Sequence, residues 1–524
     1  MKLLPIGIQT FSQIIENNYI YVDKTKDIYN MVSTGKIYFL SRPRRFGKSL
    51  LLSTLESLFK GEKGLFEGLY IHDKWDWEDK YPIIHLDMSE VNSESEEKLK
   101  ITLKELIKSV AIKHDIILEN TEYNTMFHEL IEKIHSNASK NVVVLVDEYD
   151  APLVDNIGDE TVLESNKSVM NNFYRILKSK NEYLRFVFLT GVSKFSGVSV
   201  FSGLNSPDDI SLNKDFTTIC GYTQEDLEFY FREYIDKVAL ECDHSYDECL
   251  SMIDFYYDGY SWDGVNYVYN PYSTLKLFRE RSFENYWYAT GVTTALMKTI
   301  KRLVLEKSDF NKLFNKIGMD RISLMDFNSL SDDMTPLLFQ TGYLTVKDTE
   351  KKFGSVRYSL DFPNHEVEES FYLNLLSELT KISRSQIKYI NNKLKEYLIV
   401  ADEENMRLEL KSMISKIPNL IHVHSHNYYQ SAILSWLFGA GFKPIGEYNI
   451  AKGRMDAVLV IEDTVIIVEL KFEDGKPLEK LLSLGLSQIH DNRYYEPFNN
   501  YKINFLSIAI SDKVIDCRFE KYRS

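Results

Sequence analysis

Two clusters of residues carry reactive groups at informative spacings. The first is Gly47-Lys48-Ser49, in the stretch SRPRRFGKSLLLS at residues 41–53. A glycine, an ammonium and a hydroxyl at the mouth of a helix suit a phosphate, because free backbone N–H groups and the helix dipole favour an anion there. Lys48 would reach the β- and γ-phosphates of a nucleotide, and Ser49 would help to hold magnesium. Arg42 stands where the conventional GxxxxGK[ST] loop has its first glycine, a residue that usually eases a tight turn. Further on, the apolar run VVVLV (142–146) ends in Asp147-Glu148. Asp147 is expected to support the magnesium shell and Glu148 to polarise a hydrolytic water. Thr190 and Ser193, in FLTGVSKFS, are candidates to sense the terminal phosphate. Arg44 and Arg45 suit phosphate neutralisation or an arginine finger toward a neighbouring subunit, with Arg185 a further supplier; a solvated or salt-bridged role fits them equally well.

The second cluster lies in GEYNIAKGRMDAVLVIEDTVIIVELK, residues 446–471. Two apolar strands turning at Glu462-Asp463 pair Ile461 with Thr464 and, counting outward, Asp456 with Glu469. Directly opposed side chains in an antiparallel pair have Cβ atoms about 5 Å apart. Two carboxylates held so closely repel unless a cation lies between them. Lys471 shares the face of Glu469, while Leu470 points the other way. A one-residue slip of the turn would destroy this geometry. The expected chemistry is phosphodiester hydrolysis: Asp456 and Glu469 bind Mg²⁺ (or Mn²⁺), and Lys471 stabilises hydroxide and the charged transition state. Glu447 is a further ligand candidate, Gln488 fixes the water or the phosphate, and Lys452 and Arg454 give a local positive rim. His422, His424 and His426 share one strand face, but no cysteine or acidic partner strengthens a zinc reading.

These residues need elements to position them. Strands are expected at 37–41, 83–88, 141–146 and 184–191, with helices at 49–59, within 92–135 and at 161–179. Strands alternating with helices predict a parallel α/β sheet covered on both faces. Residues 221–400 predict a mostly helical lid and connector, broken at YDGYSWDG (257–264). The tail predicts a second α/β unit: a helix at 427–439, strands near 445–450, 455–461 and 464–470, a helix at 478–490 and a strand at 503–510. The expected division is 1–220, 221–405 and 406–524.

Composition sets outer limits. At 524 residues the chain exceeds one ordinary core. A net charge of −15 argues against a protein that coats nucleic acid, yet it leaves room for a nuclease with a metal-dependent acidic cleft. No stretch approaches the roughly 18 apolar residues of a membrane span, and the start does not read as a signal peptide. Cys220, Cys242, Cys249 and Cys517 form no CxxC pair, so a zinc site and a disulfide framework are not expected. A cytoplasmic location with no membrane partner follows as an expectation.

With these motifs in place, the N-terminal part resembles the bacterial and archaeal predicted AAA-ATPase-like proteins. The resemblance rests on YVDKT (21–25), FLSRPRRFGKSLLLSTLESLFKG (39–61), VLVDEYDAPL (144–153) and YDGYSWDG…VYNPYSTLKLF (257–278), with LLFQTGYLTV (337–346) and FPNHEV (362–367) as the connector. It implies that the arginine-rich loop is a nucleotide-binding P-loop despite the missing glycine. The C-terminal part is similar to the PD-(D/E)XK nuclease superfamily, whose pattern falls on Asp456, Glu469 and Lys471. Glu447 and Gln488 match its accessory acidic and glutamine positions, and Met455 stands where proline is usual. The resemblance implies an AAA-like P-loop sheet with a helical lid and connector, followed by an α/β restriction-endonuclease-like domain. It also implies ATP and Mg²⁺ as cofactors and nucleic acid as partner, and it is compatible with a homo-oligomer. The alternative is an ATP-dependent switch whose catalytically silent nuclease-like domain is a binding module.

Overall fold

In a computed structural model, the described residues are 2–195, 207–287, 297, 300, 319–325, 333–352, 354–415, 433, 436–437, 449–450, 453–454, 456–461, 463–498, 501–512 and 514–522. The chain divides into two compact units, Met1–Ala295 with Asn315–Val367, and Leu296–Phe314 with Glu368–Ser524.

The first unit is built on five strands: β1 (Ile37–Ser41), β2 (Ile83–Asp87), β3 (Val142–Asp147), β4 (Leu184–Gly191) and the short β5 (Asp208–Asp209). Their order is β2-β3-β4-β1-β5, and every pair is parallel. All six residues of β3 are buried, as a strand covered on both faces requires. Because β4 lies between β1 and β3, the loops leaving the C-terminal ends of these three strands come together. Such an edge is where ligands bind in open α/β sheets.

The helix Lys48–Lys60 follows β1 and buries Leu51, Leu52, Leu55, Leu58 and Phe59. Gly47 caps it at φ 88°, so no side chain occupies its first N–H groups. Gly61, at φ 72°, ends it by directing its own N–H to the Leu58 carbonyl. The helical pattern expected across 92–135 resolves into two helices, Glu96–Lys113 and Tyr123–Ala138.

Beyond the sheet, the helices Gln224–Glu241 and Tyr246–Tyr257 each open on a reciprocal capping box, Thr223 with Asp226 and Ser245 with Glu248. The expected helical connector needs one correction. It contains an antiparallel hairpin, β6 (Thr345–Lys352) and β7 (Ser355–Asp361). Most of β6, TVKDTEKK, is polar and outward-facing, so no apolar alternation announces it.

The second unit holds the helices Arg384–Val400 and Glu403–Ser415, a two-stranded pair of β8 (Asn449–Ile450) and β9 (Gly453–Arg454), and a four-stranded sheet. The sheet runs β10 (Ala457–Ile461), β11 (Thr464–Phe472), β12 (Lys502–Ser511) and β13 (Val514–Lys521) in spatial order. The β11–β12 pair is parallel and the other two are antiparallel. The helix Leu478–Asp491 makes the parallel crossover, packing Leu486 and Ile489 into a core with Val465, Ile467 and Phe505. Strand β13 is an addition to the expected elements. The helix expected at 427–439 lies mostly outside the described residues.

Candidate functional sites

At the first site, Arg44, Arg45, Gly47, Lys48, Ser49 and Glu148 line one cleft of about 380 Å³. Lys48 is buried, and its Nζ donates to the carbonyls of Arg42 at 2.9 Å and Pro43 at 3.1 Å. Asp147, at the end of β3, is buried and accepts from the Thr190 hydroxyl at 2.6 Å and from the Glu148 N–H at 3.0 Å. Thr190 is thus tied to Asp147. Ser193 is tied elsewhere: its N–H and hydroxyl both donate at 2.7 Å to the buried Asp150, which also receives the Val192 N–H.

Glu148 follows Asp147 in the left-handed region, at φ 47°. That turn carries its carboxyl into the cleft, where burial raises its pKa while Lys48 pulls the other way. A carboxyl held toward the neutral range beside an ammonium suits a proton acceptor. Arg45 lies over the Tyr272 ring at 5.2 Å, and the Arg44 carbonyl accepts from Trp287 Nε1 at 3.1 Å. Arg185 sits at the opposite end of the sheet, at the start of β4, above Phe59 and Tyr81.

The loop also contains a buried charged residue whose environment spacing alone did not reveal. Arg42 is fully buried, and its guanidinium stacks 3.8 Å from the Trp262 ring centre. The backbone at Arg42 is not left-handed; the positive-φ residues of the loop are Arg45 (70°) and Gly47 (88°). Position 42 therefore does not require glycine.

At the second site the hairpin register is the expected one. Ile461 pairs with Thr464 and Ala457 with Val468, so Asp456 and Glu469 form the next position outward. Asp456 Oδ2 accepts the Leu470 N–H at 2.8 Å, which holds the carboxylate against β11. Glu469 is 1% exposed, and Lys471 Nζ lies 3.3 Å from its Oε1. The same Nζ donates to Gln488 Oε1 at 2.6 Å. Gln488 Nε2 in turn donates to the Tyr494 hydroxyl at 3.2 Å, which also accepts from Asn492 Nδ2 at 2.9 Å. Tyr494 and Asn492 follow the helix in the turn at its end, and nothing in their spacing marks them as supports.

Burial, reinforced by the Asp456 charge, pushes the Glu469 carboxyl well above the usual carboxylate range, against the pull of Lys471. Two adjacent carboxyl groups, one resisting ionisation, form a donor set that a divalent cation would neutralise. Among the described residues no cluster of three or more His, Cys, Asp or Glu groups stands ready for a metal. Glu447, Lys452, His422, His424 and His426 lie outside the described residues, as does the Arg454 side chain.

The comparisons with known proteins follow the same division. The family described as "Predicted AAA-ATPase" matches residues 5–201, and the PD-(D/E)XK nuclease superfamily matches residues 425–516. A protein of Azotobacter chroococcum mcd 1, described as "Uncharacterized protein in vnfD 5'region", is 33% identical over 507 residues. That similarity covers 95% of this chain and 94% of the relative. No helix among the described residues is long and apolar enough to cross a membrane. The chain belongs to the predicted AAA-ATPase family and carries a C-terminal region of the PD-(D/E)XK nuclease superfamily.

Proposed function

We propose that the chain binds and hydrolyses ATP in the cleft of its first unit, and that this controls a metal-dependent nuclease centre in its second. The observation that carries the reading is the convergence of Asp456, Glu469, Lys471 and Gln488 on one edge of a hairpin, with Lys471 joined to both Glu469 and Gln488 and Asp456 held beside them by the Leu470 N–H. Beside the phosphate cleft a narrower, mainly apolar slot of about 70 Å³, lined by Tyr21, Phe46, Leu50 and Cys220, suits the base of the nucleotide.

In the first centre Lys48 exchanges its loop carbonyls for phosphate oxygens, while Glu148 accepts the proton of the attacking water. Thr190 holds Asp147 in place. Arg44 and Arg45 line their own cleft, which favours phosphate neutralisation within one chain over a finger supplied to a neighbour. In the second centre Lys471, steadied by Gln488, faces the charge that develops on the scissile phosphate. A divalent ion, when bound, supplies charge neutralisation and a more acidic water in each centre. Ser49 and Asp147 would hold it in the first (hard oxygen donors of the kind Mg²⁺ takes), and Asp456, Glu469 and, on its sequence pattern, Glu447 in the second.

The partner is nucleic acid and the location cytoplasmic. The nucleotide part is assigned to 1–220, the lid and connector to 221–405 and the nuclease part to 406–524. The closeness of Asp456 to Glu469 favours an active centre over a silent binding module. The test is cleavage of plasmids and oligonucleotides with Mg²⁺ or Mn²⁺, with and without ATP. Glu469→Ala is expected to lower cleavage by roughly 100-fold or more, and Lys48→Ala to remove the response to ATP. Absence of cleavage over a broad substrate panel, alongside ATP turnover that Lys48→Ala abolishes, would favour the switch.

A further inference from the structure

The residue in place of the first loop glycine is bonded in a way that gives it a task. Arg42 Nη1 donates to the carbonyls of Ser41 at 2.9 Å and Ser211 at 2.8 Å, and Nη2 donates to that of Phe216 at 3.1 Å. Three carbonyl dipoles and one aromatic face therefore hold a fully buried cation. An apolar side chain would fill this space without the desolvation cost of a charge, so packing alone is a poor account of an arginine here.

Trp262 is itself well anchored. It belongs to the YDGYSWDG turn, where Asp263 accepts the N–H groups of Val265 at 2.9 Å and Asn266 at 2.8 Å. Ser261 exchanges hydrogen bonds with Thr345 at 2.6 and 2.8 Å. The turn also supports the other end of the loop, since Phe46 packs edge-on against Tyr260 at 4.7 Å and Trp262 at 5.8 Å. On the cleft side, the backbone carbonyl of Arg42 itself holds Lys48 Nζ, together with that of Pro43. The guanidinium thus fixes a backbone whose carbonyls fix the ammonium.

We propose that Arg42, stacked on Trp262, is the positioning residue for Lys48 and takes over the loop-shaping role of the missing glycine. The inference rests on the nucleotide reading of the cleft. It has an unusual consequence: restoring the conventional glycine impairs the loop.

The test is Mg·ATP affinity and melting temperature of the full chain, for wild type, Arg42→Gly, Arg42→Lys and Trp262→Phe. Arg42→Gly is expected to weaken ATP binding by the folded protein by about 10- to 100-fold, the scale of an ångström-level misplacement. Arg42→Lys and Trp262→Phe are expected to fall between it and wild type. Millimolar ethylguanidine should restore binding to Arg42→Gly, whereas neutral ethylurea should not. A lower melting temperature with wild-type affinity in Arg42→Gly would reduce Arg42 to a packing residue and overturn the proposal. Should Arg42→Gly fail to fold, Trp262→Phe decides in the same way, unchanged affinity counting against the latch. A wild-type chain that binds no nucleotide would overturn the reading of the cleft itself, an outcome distinct from binding that is insensitive to Arg42.

Discussion

Arg45 is a bulky residue in the left-handed region, at φ 70°, on the rim of the cleft in the first unit. Such a conformation costs a non-glycine residue about 1–2 kcal/mol, and strain of this kind collects at functional sites. Arg45→Gly and Arg45→Ala both remove the cation over Tyr272, and both are expected to lower ATP affinity by about 3- to 10-fold. They should differ in stability, because only glycine relieves the strain. After allowing for glycine's freer unfolded chain, Arg45→Gly should exceed Arg45→Ala by roughly 0.5–1 kcal/mol in denaturant unfolding. Equal stabilities would remove the strain argument. At this scale the sequence was a good guide to which residues lie together wherever they belong to a short stretch. Gly47, Lys48 and Ser49, and the pair Asp147 and Glu148, were legible as text and line or adjoin one cleft. Arg42 was legible only as a missing glycine, because its partners Ser211, Phe216 and Trp262 are remote in sequence and no periodicity encodes their approach.

Regular elements depend on close fits that single residues control. Gly485 lies in the helix Leu478–Asp491, where an added Cβ would clash with Ser507 Oγ and meet Ser507 Cβ at 3.1 Å. Glycine is unfavourable within a helix, so its presence here marks close approach to β12. The same helix carries Gln488, one turn further on, to the Lys471 ammonium. Gly485→Ala is expected to cost about 1–3 kcal/mol by overpacking, and to lower the nucleic-acid cleavage proposed above by displacing Gln488. Ser507→Ala in the same chain removes the closest clash and should recover part of both losses, a coupling that a double-mutant cycle measures. Simple additivity of the two substitutions would refute the contact. The hairpin β10–β11 was legible because two apolar strands flank a two-residue turn, and the turn sets the register. Strand β6 was not, since TVKDTEKK has a single aliphatic residue, whereas β13 does alternate Ile515, Cys517 and Phe519 with Asp516, Arg518 and Glu520, a period-two signal that sequence reasoning missed. Their strand state comes from pairing with β7 and β12.

For the molecule as a whole, the most informative buried carboxyl is Glu366, near the start of the helix His365–Thr380. Its Oε1 accepts the Trp287 N–H at 2.6 Å, and the Trp287 indole donates to the Arg44 carbonyl in the loop that follows β1. A local spacing rule gives no warning of this chain of contacts, because its members come from three distant segments. Burial pushes the Glu366 carboxyl from 4.5 up to about 8. The sign of the stability effect follows from proton counting. Between those two values the unfolded chain has released a proton that the folded chain keeps, so rising pH favours unfolding. The contribution is intact below about 4.5, is lost progressively toward about 8, and is gone above it. The net charge of −15 adds a general repulsion that also grows with pH, so the Glu366 contribution must be isolated by difference. Glu366→Gln keeps the shape and the acceptor for Trp287 but carries no titrating proton. Its melting temperature should match wild type near pH 5 and exceed it by at least about 1–2 °C near pH 8.5, the shift expected for roughly 1 kcal/mol in a unit of roughly 350 residues. General repulsion affects both chains almost alike, so a gap that opens with pH belongs to Glu366. A gap of constant size across the range would mean that this carboxyl does not titrate between the folded and unfolded states, and that its bond to Trp287 is made by a carboxylate throughout.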